Sequence, residues 1–351
     1  MKKAILILVA CLLLSGNAYA KKNKNTWDYP FLHYGKYEVK GSKDFYEFQS
    51  NLREDKDVLK EIKNNKKTGL ISYFLFENDK IVIDVSDIPK KVSSGETIID
   101  GLLPSHSMGK SLVSYVTGHA ICEGYISSVD EKLTGWDVIE NTLYEDQVLI
   151  DLLNMQAGDQ RYVGERIKPH IDNILKNKKN KYGKKINVNT VRLKTLMKDY
   201  FQNTKKSGRV YNYSALTTNV IMNYVIHKTG DDWEKLLHKV FNEHVKVKDN
   251  VYFSTTVKWT AEGSGRYSFY ATRYDYLRIA KAMLDDWHND TCAGKYLKTI
   301  YERRIEKKDN TKEPDGVGGY TKSYGGQIHF DIFGLEKGRK IIGMSGFAGQ
   351  Q

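Results

Sequence analysis

The chain is poor in the residues that build metal and cofactor sites. Its nine histidines show no ligand spacing. His238 and His244 lie six apart on an expected helix, off the i,i+4 geometry of a zinc-binding pair, and read as surface or cap residues. Gly316-Val-Gly-Gly319 is not a phosphate loop, because no strand–loop–helix with a Lys-Ser/Thr surrounds it. These absences lead us to expect no metal and no cofactor. Cysteine is scarce, with three residues. Cys11 lies in the amino-terminal leader, leaving Cys122 and Cys292. An oxidising compartment permits a bridge between them, but Cys122 on a buried helix also fits a free thiol packed as a small hydrophobe. Beyond the leader, no apolar run reaches the ~18 residues of a membrane span.

The leader itself is legible. Lys2-Lys3 precede an apolar run from Ala4 to Leu14, and Ala18-Tyr19-Ala20 is a small-residue cleavage site. Residues 1–20 therefore read as a signal peptide, and the mature chain as periplasmic or secreted. Leu8-Val9-Ala10-Cys11 is a lesser match to a lipoprotein box. The formal net charge is +12, or +10 once Lys2 and Lys3 are removed. That charge is diffuse apart from a lysine-rich loop at 176–185, so nucleic acid is not expected as a partner. The 24 tyrosines read mostly as amphipathic packing.

At 351 residues the chain suits one large or two interlocked domains. Residues 21–68 form an extension, with a charged helix expected over 43–65. Two β-rich runs, 69–76 and 80–85, flank Asn78-Asp79 as a hairpin. Helices are expected over 107–124, 149–155 and 214–229, the last stopped by Gly230, and after a capping box at Thr272 and Asp275. The last fifty residues turn β-like. Strands at both ends with helices between suggest an α+β (α/β sandwich) fold. Its mixed, mainly antiparallel sheet would be flanked by helices and closed by both termini around an all-helical insertion at about 125–270.

The most telling segment is His106-Ser107-Met108-Gly109-Lys110-Ser111. It holds the one Ser-x-x-Lys of the chain, at the head of a helix apolar nearly all round and therefore buried. Residues three apart share a helix face, so the Lys110 amine can reach the Ser107 hydroxyl. A hydroxyl needs a neighbouring base to become a nucleophile, and a desolvated lysine can be that base. Arg209-Val-Tyr-Asn-Tyr-Ser-Ala215 offers Tyr213 as a second acid/base, against the blander reading of a packing tyrosine. Met344-Ser345-Gly346-Phe347-Ala-Gly349 offers a glycine-softened strand that a substrate backbone can approach.

The ordered set Ser107-x-x-Lys110, Tyr213-Ser214 and Ser345-Gly346-x-x-Gly349 resembles the β-lactamase-related serine hydrolase family. That family comprises class C β-lactamases, D-alanyl-D-alanine carboxypeptidases, family VIII esterases and 6-aminohexanoate-dimer hydrolases. Leu152-Leu-Asn-Met-Gln-Ala-Gly158 and Thr272-Arg-Tyr-Asp275 match linking segments, and the resemblance runs from about residue 70 to the end. It implies a serine β-lactamase-like domain over 69–351, with a cleft between a sheet domain and a helical one. It also implies Ser107 as nucleophile, Lys110 as base and Tyr213 as partner acid/base. The backbone N–H groups of Ser107 and Phe347 would form the oxyanion hole, with Ser345 and Gly346 on the substrate strand.

Three departures bear on the substrate. Ala215 stands where the Tyr-x-Asn box has an amide. Met344 stands where Lys-Thr-Gly has its cation, with Arg339 or Lys340 as possible surrogates. Relatives continue beyond the point where this chain stops, so a C-terminally truncated domain is expected. A charge-assisted bond to a substrate carboxylate is worth ~1.5–3 kcal/mol, and its loss disfavours β-lactams and peptidoglycan stems. The expected activity is thus ester or linear-amide hydrolysis of a small or short peptide-like substrate through an acyl-serine. The alternatives are a β-lactamase or carboxypeptidase, and an inactive binding protein on the same fold.

Overall fold

Alternating Tyr, Phe and Leu followed by Ile and Val build the first well-defined unit. Strands β3 (Ser72–Glu77) and β4 (Lys80–Ser86) pair antiparallel, with Ser72 opposite Ser86. Their turn residues Asn78 and Asp79 both have positive φ, 50° and 61°, the signature of a two-residue hairpin turn. The computed structural model describes residues 36–90, 98, 101–163, 192–255, 263, 267–307, 321–332 and 343–344. The signal peptide and Cys11 lie outside them. Ahead of the hairpin come β1 (Lys36–Val39), β2 (Gln49–Ser50) and helix α1 (Lys56–Lys63). The charged helix expected over 43–65 is thus shorter. The Asp55 side chain accepts from the backbone N–H groups of Asp57 and Val58, which sets its start, while Gln49 and Ser50 pair parallel with β4.

A short strand β5 (Leu103–Pro104) leads into α2 (Met108–Cys122), which is followed by α3 (Leu149–Leu153), α4 (Leu193–Leu196), α5 (Ala215–Thr229) and α6 (Trp233–His238). Gly230 ends α5 with φ 54°, as its position predicts. Strands β6 (Val251–Thr255) and β7 (Tyr267–Ala271) come next, inside the stretch read as a helical insertion. Each ends in three consecutive buried residues, so neither carries the alternation that marks a strand in sequence. Helices α7 (Arg273–Asn289) and α8 (Cys292–Glu302) precede β8 (Ile305–Glu306), β9 (Thr321–Gly325) and β10 (Ile328–Ile332).

Among the described residues the strands form three sheets, ordered β1-β6-β7-β5, β10-β9-β8 and β2-β4-β3. All pairs are antiparallel except β2 with β4, so the mixed, mainly antiparallel α+β architecture holds. The single sheet closed by both termini is not what these residues pair into. The β3–β4 hairpin joins β2, and the carboxy-terminal strands join one another.

Segment 272–275 shows how local sequence becomes tertiary structure. Thr272 caps α7, its hydroxyl oxygen accepting from the Asp275 N–H. Arg273 reaches back to the hairpin. It donates to Asp84 Oδ1 at 2.6 Å and to Ser72 Oγ at 2.9 Å, with its guanidinium 3.8 Å from the Phe74 ring centre. The buried Asp275 carboxylate accepts from the N–H groups of Lys248 and Asp249 and from Arg278, so it ties the loop before β6 to α7.

Helix α2 is the centre of the molecule. Leu112, Tyr115, Val116 and Ala120 are fully buried. At Gly118 an added Cβ would lie 2.4 Å from the Tyr296 ring, so only glycine allows α8 this close. Cys122 and Cys292 are joined as a disulfide with Cα atoms 5.8 Å apart, which decides the question the sequence leaves open. The bond closes a separation of 170 residues. Removing it by the double change Cys122→Ala, Cys292→Ala should cost about 2–5 kcal/mol. Denaturant unfolding of reduced and oxidised protein checks this; coincident curves would show that the bond constrains nothing.

Candidate active site

The site is built on a strand–turn–helix junction. Pro104 pairs with Tyr270, the Ser105 N–H donates to the Phe269 carbonyl at 2.8 Å, and the chain then turns sharply at His106. His106 has φ 42°, the left-handed region, in which a non-glycine side chain is uncommon. Gly109 sits over Ser105, where an added Cβ would be 2.6 Å from its Oγ. This elbow leaves Ser107 and Lys110 half-buried while the next residues of α2 plunge into the core. The Lys110 ammonium donates to Ser107 Oγ at 2.9 Å, the reach that the three-residue spacing predicts. The Ser107 backbone N–H donates no hydrogen bond among the described residues.

Tyr213 arrives from the other side. Lys110 Nζ lies 4.6 Å from the centre of its ring, so the amine contacts the aromatic face. Among the described residues no hydrogen bond joins the Tyr213 hydroxyl to Ser107 or Lys110. Its neighbours hold the loop. Asn212 donates to Asp159 Oδ1 at 2.7 Å, its N–H donates to the Met155 carbonyl, and Ser214 caps α5. Asp159 is fully buried and also accepts from Tyr144 and Thr217 at 2.9 Å each. Burial raises its pKa, and the three donors work against that.

The structure therefore brings together Ser107, Lys110 and Tyr213. Met344 is half-buried against the main core, uncharged where the family motif has lysine. Ser345, Gly346, Phe347, Arg339 and Lys340 lie outside the described residues.

A polar group that the sequence did not reveal backs the site. Lys307, 3% exposed, donates to Thr321 Oγ1 at 2.8 Å and lies 3.1 Å from His329 Nδ1. His329 packs edge-on against Tyr324, whose ring also meets Tyr211 and Tyr213. The backbone of His329 pairs with Gly343, which brings the segment leading to Met344 alongside β10. Burial, then the charges of Lys307 and Lys110, hold the His329 pKa well below the usual histidine value. These residues are far apart in the chain and match no motif, so sequence carried no signal for them.

No family model matches the chain, and no curated protein does. Solved structures do. At a TM-score of 0.59 and 15% identity, the chain resembles a Bacillus anthracis protein provisionally named a 6-aminohexanoate-dimer hydrolase, over 94% of this chain and 84% of that one. A penicillin-binding protein from Bacillus halodurans matches with TM-score 0.54 and 14% identity, over 81% and 85% of the two chains. A penicillin-binding-protein homologue from Caulobacter crescentus matches with TM-score 0.54 and 13% identity, over 85% and 87%. The chain has the β-lactamase-related serine hydrolase fold. Identities this low establish the fold alone.

The depressed His329 pKa has a testable consequence. Below the free-histidine value of about 6.5 the unfolded chain binds a proton that the buried imidazole refuses. Stability from this group is therefore complete above that pH and declines as pH falls. Thermal melts from about pH 7 to 5 should show this slope, and His329→Gln should flatten it. It will not vanish, because His119 is held down to about 4 by burial and by His244, and adds the same sign. An unchanged slope in His329→Gln would refute the assignment.

Proposed function

We propose that this protein is an exported serine hydrolase that cleaves ester or linear amide bonds through an acyl-serine intermediate. The observation that carries the reading is the 2.9 Å contact between Ser107 Oγ and Lys110 Nζ, at a half-buried elbow and with the Tyr213 ring against the amine. In its neutral form Lys110 accepts the Ser107 proton as Oγ attacks the substrate carbonyl. The oxyanion of the tetrahedral intermediate falls to the backbone N–H groups of Ser107 and Phe347. Collapse breaks the C–O or C–N bond, and the leaving group takes a proton by way of Lys110 and Tyr213. Water then attacks the acyl-serine with the same groups reversed, releasing the acid and restoring Ser107.

Two observations favour neutral substrates. Met344 supplies no cation for a substrate carboxylate. Lys307 does not replace it, because it is buried and its ammonium is turned to Thr321 and His329. The side-chain amide of Gln327 is likewise engaged, donating to the carbonyls of Leu152 and Leu153, so it does not substitute for the amide that Ala215 lacks. Export is supported by the leader and by the Cys122–Cys292 bond, since such bonds persist in oxidising compartments. Among the described residues no helix is long and apolar enough to cross a membrane.

The deciding experiment is intact mass after incubation with a fluorophosphonate serine probe. Wild type should gain one adduct, Ser107→Ala none, and Lys110→Ala should react about 10²–10⁴-fold more slowly. Neutral nitrophenyl acyl esters should be hydrolysed and a chromogenic cephalosporin left intact. Cephalosporin turnover would instead favour the β-lactamase reading. Absence of any adduct on folded wild type would leave the inactive binding protein as the better account.

A further inference from the structure

Behind the nucleophile helix, three side chains from distant parts of the chain converge. His119 lies on the last turn of α2, His244 ends the π-helical turn Lys239–His244 that follows α6, and Asp286 lies on α7. The two imidazole rings are 4.9 Å apart, and one donor atom from each of the three residues lies within 4.8 Å of the others. We propose that His119, His244 and Asp286 form a binding site for a divalent transition metal, with Zn²⁺ as the ion that two imidazoles and one carboxylate suit best.

A simple histidine–aspartate pair accounts for only part of the arrangement. His244 Nε2 lies 3.1 and 3.0 Å from the two Asp286 oxygens, and that contact satisfies both residues. It leaves His119 unexplained. This side chain is 8% exposed, and its Nε2 is buried with no hydrogen-bond partner among the described residues. A buried polar atom without a partner costs about 1–3 kcal/mol, and such atoms in folded proteins call for a reason. A metal ion supplies one, because a neutral imidazole offers it a lone pair. Burial keeps His119 in that neutral form.

The surroundings are those of a supported ligand set. Asp286 is held from behind by the Tyr115 hydroxyl at 2.5 Å on Oδ2 and by the Thr291 hydroxyl at 2.6 Å on Oδ1. Hydrogen bonds of this kind orient a carboxylate toward a metal. Lys239, a cation whose charge bears on His119, is paired with Glu123. Ligand atoms around tetrahedral zinc are about 3.3 Å apart, so the cluster must contract. The His244 side chain is 37% exposed and is free to make that movement. A cavity of 190 Å³ lined by His244, Asp286 and Thr291, and also by Lys246, Arg278 and Lys281, opens beside two of the three ligands. His119 follows Ser107 by twelve residues, about 18 Å along a helix axis. The site is therefore separate from the catalytic candidates, and its role is to clamp the back of the helix.

The test uses the mature protein, stripped with a chelator and titrated with ZnCl₂ against a chromophoric zinc indicator. One Zn²⁺ per chain should bind at micromolar Kd or tighter, and zinc but not magnesium should raise the melting temperature. His244→Ala, at a surface position, should keep its circular dichroism and lose at least about tenfold in affinity. Asp286→Asn should do the same where it folds. Ser107→Ala should bind zinc like wild type. No stoichiometric uptake by wild type, or equal uptake by His244→Ala, would overturn the site.

Discussion

The burial of helix α2 on every side is the constraint from which the rest follows. A helix with one wet face can rock on its core, but this one has no free face. Its buried polar residues need partners, and three of them find one in three different elements around the helix. Ser111 donates to the Gln327 carbonyl in the β9–β10 turn, Ser114 meets the Tyr296 hydroxyl of α8, and Tyr115 donates to Asp286 of α7. An unmade bond at any of these sites would cost about 1–3 kcal/mol, so the three contacts specify the packing as well as stabilise it. The β9–β10 turn is fixed in the same way. Gly326 and Gln327 both have positive φ, and the Gly326 N–H donates to Asn154 while the Gln327 N–H donates to Leu153. His329 is thereby delivered to the neighbourhood of Lys110.

At the candidate active site the start of this helix meets solvent, with Ser107 and Lys110 half-buried. Its exposure depends on the turn at His106, whose left-handed backbone reverses the chain between an edge strand and the helix. Strain of this kind costs about 1–3 kcal/mol and persists only where the surroundings enforce it. Here they do so through the β5–β7 pairing, the Ser105–Phe269 bond and the close approach of Gly109 to Ser105. On the facing loop, Asp159 does the equivalent work for Tyr213 by holding Asn212. The distances within the candidate site are thus set by buried groups one step removed from Ser107, Lys110 and Tyr213.

What the sequence revealed and what it concealed divide along the range of the interactions. The Ser107–Lys110 contact, the Asn78-Asp79 hairpin, the Gly230 stop and the Thr272 cap are each decided within a few residues, and each was readable. The pairing of β2 with β4, the buried carboxylates Asp159 and Asp275, and the Lys307–His329 group are decided by partners tens of residues away. No periodicity records them. Helix α1 was overextended because charge alone does not show where a helix begins, whereas the Asp55 cap does. The disulfide stayed open because two cysteines in a long chain carry no geometry. His244 was read as a surface residue, which its exposure supports, but sequence could not show that His119 and Asp286 lie beneath it.

The two ends of α2 are opposite in character, and that opposition has a mechanical reading. Productive attack requires reacting groups held to within about 0.5 Å, and a rigid helix transmits any slide or rotation of its far end to the near one. The near end is held by the β5–β7 pairing and by the Ser105–Phe269 bond. The far end has braces of its own. The Cys122–Cys292 bond fixes the end of the helix to α8, and the Gly118–Tyr296 contact fixes its distance and rotation against the same element. A metal held by His119, His244 and Asp286 would add a third point from a different direction, tying α2 to α7 and to the turn after α6. Three non-collinear attachments are the fewest that remove every rigid-body freedom from a helix whose other end carries Ser107, the proposed nucleophile.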